Sequence, residues 1–207
     1  MTISLTNTGK RFNRDWIFRN LNFQFSSGIS YAITGSNGSG KSTLLQVIAG
    51  ALSPNEGKVT YQDEITKLPV EEDSVYQHLS IAAPYLELID EMTLQEFLHF
   101  HQQFKPLVPM LTIPDIIAVT GLEKAAHKQI RYFSSGMKQR LKLAQCIFSN
   151  TPVLLLDEPC TNLDAEGIAL YHQLVTAYCQ NRLVIVSSND KAEYSFCSQQ
   201  LQMNDYK

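Results

Sequence analysis

A chain of 207 residues, 44% hydrophobic and 18% charged, carries enough apolar material for a core, which excludes a disordered chain. The formal net charge of −3 lacks the basic excess that matches a phosphate backbone, so no nucleic-acid partner is expected. Cys146, Cys160, Cys179 and Cys197 show no C-x-x-C spacing, which argues against a zinc ribbon and for buried, reduced thiols in a reducing compartment.

Residues 1–12 lack the apolar stretch of a signal peptide. Residues 21–25, Leu-Asn-Phe-Gln-Phe, alternate as a half-buried strand does. A second strand over 29–34 runs into a glycine-rich turn, and a helix follows over 42–49 with Gly50 near its end. Residues 58–61 read as another strand. The middle of the chain changes character: 92–104, 115–119 and 137–148 have helical spacing, the last with Met137, Leu141, Ala144 and Phe148 on one face. Pro106, Pro109 and Pro114 punctuate the connection. These helices predict a lobe over about 84–146, inserted in an α/β core within one domain of 1–207. Residues 153–156 and 183–186 are short continuous apolar runs, as expected of strands buried on both faces.

Residues 35–42, Gly-Ser-Asn-Gly-Ser-Gly-Lys-Ser, fit G-x-x-x-x-G-K-[ST] at every fixed position. Glycines let backbone N–H groups wrap a polyphosphate, and the helix that follows aims its positive end at it. Lys41 adds a full charge near the β- and γ-phosphates, and Ser42 can ligate Mg²⁺. Gly35, Ser36, Asn37, Gly38, Ser39, Gly40, Lys41, Ser42 and Thr43 are thus the candidate nucleotide-binding residues. The apolar run at 153–156 ends in Asp157-Glu158-Pro159. A strand tip beside a phosphate loop is where a Mg²⁺-supporting Asp belongs. Asp157 would hold the metal directly or through water, and Glu158 would orient or deprotonate the attacking water.

Phe133-Ser134-Ser135-Gly136-Met137-Lys138-Gln139-Arg140-Leu141, lying before that strand, resembles the L-S-G-G-Q signature of the ABC ATPase family. Thr161-Asn162-Leu163-Asp164 resembles the family's D-loop, and the motifs keep the family's order over nearly the whole chain. The resemblance implies a P-loop NTPase core with a mainly parallel sheet, an N-terminal antiparallel β part and the inserted lobe. It implies ATP and Mg²⁺ as ligands. It also implies that Ser134, Ser135, Gly136 and Met137 face ATP held by a second subunit, with Asp164 at the dimer interface. Phe12 lies where such domains stack an aromatic ring on adenine, and Trp16 is its rival.

The pattern breaks in three places. Ser135 and Met137 replace the usual glycine and glutamine of the signature. The glutamine expected after the strand at 79–82 is missing, since Ala82-Ala83-Pro84-Tyr85 stands there and Gln77 comes too early. Asn189 occupies the place of the switch histidine after the strand at 183–186. An amide can bond the γ-phosphate but takes no proton, so slow hydrolysis is expected. The five histidines sit elsewhere, at surface or packing positions.

The reading that follows is an ATP-hydrolysing subunit of an ABC transporter, working as a homodimer or ABC heterodimer. No apolar run reaches the roughly 18 residues that span a bilayer, so a separate transmembrane permease must supply the path. The subunit would be cytoplasmic and peripheral on the inner face of the membrane. A non-transport ABC ATPase, acting as an assembly or regulatory factor, and a nucleotide-binding module with negligible turnover are the alternatives.

Overall fold

The computed structural model describes residues Met1–Lys207. Strands β1 (Thr2–Phe12) and β2 (Asp15–Phe25) are antiparallel neighbours across a short turn. With β4 (Glu56–Gln62) and β5 (Pro69–Val70) they make an antiparallel sheet of order β2-β1-β4-β5. One face of this sheet is apolar: Ile3 and Leu5, and Leu21 and Phe25, keep the period-2 alternation, and Phe18 joins them across an irregularity at Asn20, whose φ is 54°.

The second sheet is parallel and has the order β6-β7-β8-β3-β9. Its strands are β3 (Ser30–Thr34), β6 (Leu79–Ala82), β7 (Val153–Asp157), β8 (Leu183–Ser187) and β9 (Gln199–Gln202). In β7, Val153 and Leu155 join one core and Leu154 and Leu156 the other; β8 divides in the same way. That double burial is why both strands read as unbroken apolar runs. The first core packs the antiparallel sheet and α1 (Lys41–Ile48) against the parallel sheet. The second packs the opposite face against the helical lobe and α6 (Ala165–Tyr178).

The lobe follows α2 (Val75–His78) and β6 and contains α3 (Leu94–Phe104), α4 (Ile113–Val119) and α5 (Ser135–Ile147). Three helix starts in the lobe differ from the sequence expectation because side chains cap them, and in α5 the Ser134 cap sets the start at Ser135 rather than at residue 137. The Thr93 hydroxyl accepts the Glu96 N–H while the Glu96 carboxylate accepts the Thr93 N–H, so α3 begins at Leu94 rather than at residue 92. Thr112 and Asp115 make the same pair, which starts α4 two residues early with Pro114 in its first turn.

The C-terminal end of α5 is fastened to the parallel sheet. Arg182, just before β8, donates to the carbonyls of Ile147, Ser149 and Thr151 at 2.6, 2.8 and 2.7 Å. The Ser80 hydroxyl in β6 donates to the Cys146 carbonyl at 2.8 Å. The Cys146 and Ile147 carbonyls are ones the helix end leaves unpaired, and the same guanidinium holds the chain that follows through Ser149 and Thr151. A short helix, α7 (Lys191–Tyr194), links β8 to β9. All four cysteines are unpaired, and three of them are buried.

Candidate nucleotide site

The parallel strands end on one side of the sheet, and the phosphate loop, Asp157, Glu158 and Asn189 lie there, whereas Phe12 and the residues of 134–137 and 164 do not line the same cleft. Gly35 to Gly40 connect β3 to α1 in a tight loop. Gly40 has φ 99°, and a Cβ there would lie 2.4 Å from Cγ2 of Ile17. No L side chain fits that position, by conformation or by space. Ile17 of β2 therefore presses on the loop and lines the cleft beside it, a role its sequence context did not signal.

Lys41 is the first residue of α1 and is buried, its Nζ donating to the carbonyls of Gly35 at 2.9 Å and Ser36 at 3.3 Å. The ammonium thus sits inside the loop with its charge held by two dipoles. No acidic side chain occupies the first turn of α1, which leaves its positive end uncompensated. A cleft of about 250 Å³ opens there, lined by Ile17, Asn37, Lys41, Ser42, Thr43 and Glu158 among others.

Asp157, the last residue of β7, is 2% exposed, and its Oδ1 has no hydrogen-bond partner. The hydroxyls of Ser39 and Ser187 are buried and unpaired as well, and Ser187 is the register partner of Asp157. Buried polar atoms are almost always bonded, so the paired orphans Asp157 and Ser187 at the strand ends mark a place for a ligand. Glu158 sits at φ 44°, a strained conformation costing on the order of 1 kcal/mol. Its N–H donates to the Ser187 carbonyl at 2.9 Å, and its side chain is exposed into the cleft.

Asn189 reaches the loop from the end of β8. Its Oδ1 accepts the Gly35 N–H at 3.3 Å, and its Nδ2 donates to Asn37 Oδ1 at 2.9 Å. Where the loop glutamine is missing, Tyr85 turns its half-buried hydroxyl toward the Gln46 side chain of α1 and the Asp157 charge. Burial raises the pKa of this phenol, the Gln46 hydrogen bond lowers it, and Asp157 raises it again. Neither Gln46 nor this use of Tyr85 was visible in the sequence.

Phe12 ends β1 with its ring 47% exposed and Lys10 Nζ 5.4 Å from its centroid, and it does not line the 250 Å³ cleft. Trp16 is flanked by the guanidiniums of Arg11 and Arg19 at 5.5 and 4.6 Å.

Ser134 is the N-cap of α5, its Oγ accepting the Met137 N–H at 3.2 Å, and Ser135 and Gly136 open the helix. They line a separate cavity of about 600 Å³ together with Met137, Arg140 and Asp164. Asp164 caps α6 by accepting the Gly167 N–H at 2.8 Å and lies 3.8 Å from the Arg140 guanidinium. This cavity and the phosphate-loop cleft have no lining residue in common.

Residues 18–161 match the family described as ABC transporter. The uncharacterized ABC transporter ATP-binding protein YybJ of Bacillus subtilis (strain 168) is 31% identical over 98% of this chain and 92% of its own length. The cytochrome c biogenesis ATP-binding export protein CcmA of Agrobacterium fabrum is 30% identical over 100% of this chain and 97% of its own. In fold, the chain superposes on an ATP-binding subunit of an ABC transporter with a TM-score of 0.85 at 19% identity, covering 98% of this chain and 85% of that one. The dimeric bacterial ABC transporter cassette MJ0796 gives 0.79 at 21% identity, covering 97% and 94%. With an antiparallel sheet, a parallel core and a helical lobe around a glycine phosphate loop, the chain belongs to the ABC transporter family as an ATP-binding subunit of the P-loop NTPase class.

Proposed function

We propose that this chain, as one nucleotide-binding domain, binds ATP at the Gly35–Ser42 loop and hydrolyses it as a dimer, driving transport through a separate membrane subunit. The observation that carries this reading is the buried, unpartnered Asp157 carboxylate beside the Lys41–Ser42 cleft. An anionic oxygen without a partner in that position fits a Mg²⁺ site, with the Ser42 hydroxyl as the second protein ligand. When bound there, Mg²⁺ supplies positive charge against the phosphoryl oxygens.

The chain's own residues do the rest. Lys41 and the loop N–H groups hold the β- and γ-phosphates. Glu158, exposed into the same cleft, orients the attacking water and draws its proton. Asn189, already bonded to the loop at Gly35 and Asn37, holds a γ-phosphate oxygen but moves no proton. Phe12 offers an exposed ring for adenine.

The signature residues Ser134, Ser135, Gly136 and Met137 line a cavity distinct from this cleft, which supports their use on ATP held by another subunit. Dimerisation of the related cassette MJ0796 is in line with that arrangement. No helix is long and apolar enough to cross a membrane, so transport requires a permease, and the chain would work on the inner face of the membrane. Blocking hydrolysis should trap the closed pair: Glu158→Gln with ATP and Mg²⁺ gives a dimer by light scattering, whereas nucleotide-free wild type stays monomeric. A Glu158→Gln chain that remains monomeric at saturating ATP, with or without its membrane subunit, refutes the shared-nucleotide dimer.

A further inference from the structure

Two carboxylates are buried in this chain, and the catalytic scheme uses only Asp157. The other, Glu193 of α7, is 5% exposed. A buried carboxylate costs several kcal/mol unless its oxygens are bonded, and the bonds Glu193 makes are to the site itself. Its Oε1 accepts the Cys160 N–H at 2.7 Å, two residues beyond Glu158. The Ser188 hydroxyl lies beside the same carboxylate, and its Oγ accepts the Asp190 N–H at 2.9 Å. The Tyr171 hydroxyl of α6 donates to the Glu193 carbonyl at 2.9 Å and fixes its backbone. Burial raises the pKa of this carboxyl, and Ser188 and the Cys160 N–H oppose the rise.

These contacts form a continuous path. The phosphate loop bonds Asn189 through Gly35 and Asn37. Ser188, next in the chain, lines one cavity with Glu193, and Glu193 bonds Cys160, which opens the segment running to Asp164 in the signature cavity. A cavity of about 380 Å³ lies where Glu158, Thr161, Asn189 and Glu193 converge. No other side chain bridges the end of β8 to the turn after β7 in this way.

We infer that Glu193 is a positioning residue that couples the state of the phosphate loop to the placement of residues 160–164 on the signature side. The inference rests on the ATP-hydrolysing reading above. Glu193→Ala cuts the path, while Glu193→Gln keeps an acceptor for the Cys160 N–H in the same volume. Glu193→Ala should lower kcat about 10-fold or more with KM for ATP within roughly 3-fold, and Glu193→Gln should stay within about 3-fold of wild type in both. Combined with Asn189→Ala, Glu193→Ala should add less than its separate effect, because both act on one path. Hydrogen exchange supplies a readout independent of turnover. At protein concentrations where the chain is monomeric, ATP should slow exchange across residues 160–164 in wild type and Glu193→Gln but not in Glu193→Ala. Equal ATP protection of that segment in Glu193→Ala, or fully multiplicative kinetic losses in the double variant, overturns the inference alone. A wild-type chain that binds no ATP by calorimetry overturns the functional reading on which it stands.

Discussion

The phosphate-loop cleft and the signature cavity are built to opposite plans. Around the loop, several of the key groups are held from within the chain. Lys41 is pinned by two carbonyls, Asn189 by Gly35 and Asn37, and Gly40 by the close approach of Ile17. In the signature cavity, Ser134 and Asp164 cap their own helices, and only the loose Arg140–Asp164 pair reaches across it. One half is preorganised and the other is left open, as the proposed use of the signature on a second subunit's ATP requires. Electrostatic preorganisation belongs where charge develops, and openness belongs where association and release must recur.

The contrast can be broken most sharply on the preorganised side. Lys41→Ala should weaken ATP binding on the order of 100-fold by calorimetry, since a fully buried charge contact is lost. Gly136→Asp on the open side should behave differently. It puts a negative charge at the α5 N-terminus, so ATP binding to the monomer should stay within about 3-fold while turnover falls roughly 10-fold or more. Mixing the two defective chains should then restore hydrolysis, because one of the two sites in a mixed dimer carries neither defect. Absence of recovery in a mixture shown by light scattering to form dimers would mean that the signature acts within its own chain.

A smaller effect is expected at Asn189. Wild-type turnover should be about 1 per second or less, and Asn189→Ala should lower it roughly 10-fold with little change in ATP affinity. Unchanged turnover would remove Asn189 from the site. Tyr85→Phe deletes the hydroxyl that faces Gln46 and Asp157, and should cost a few-fold in turnover or in the Mg²⁺ concentration required, read from metal titrations. The smallest effect lies far from both clefts. Burial lowers the pKa of His101, and the Lys105 charge lowers it further. Its neutral form is the folded one, so its contribution is complete above the ordinary histidine pKa of about 6.5 and is lost as pH falls through the lower folded value. Thermal melts between pH 7 and 5 should show a drop of a few degrees that His101→Gln abolishes.

What could be read from the sequence was what is local. The glycine loop, the two apolar strands and the Asp157–Glu158 tip each declare themselves within a few consecutive residues. The first half of the antiparallel sheet did not, because the β1–β2 register shifts between Leu5 and Thr8, and Asn7 at φ 46° breaks the alternation. Helices α6 and α7 went unread for a different reason, since buried and exposed apolar residues mix along α6 and α7 is a single turn. Ile17, Gln46 and Glu193 matter only through partners remote in the chain. No spacing rule links Glu193 to Cys160 across 33 residues, whereas a shared strand edge does.

The fastening of α5 at its far end has a mechanical meaning. Arg182 and Ser80 clamp the helix where it leaves the lobe, and the signature sits at the other end of a 13-residue rod, about 20 Å away, with Lys138 and Gln139 bonded to Asp90 and the Pro159 carbonyl on the way. A tilt of roughly 10° about the clamp carries Ser134 by about 3 Å, the length of one hydrogen bond. Whatever bends the lobe therefore engages or disengages the signature without unfolding a single turn. The pivot of that motion lies with Arg182 and Ser80, at the end of the parallel sheet remote from the phosphate loop.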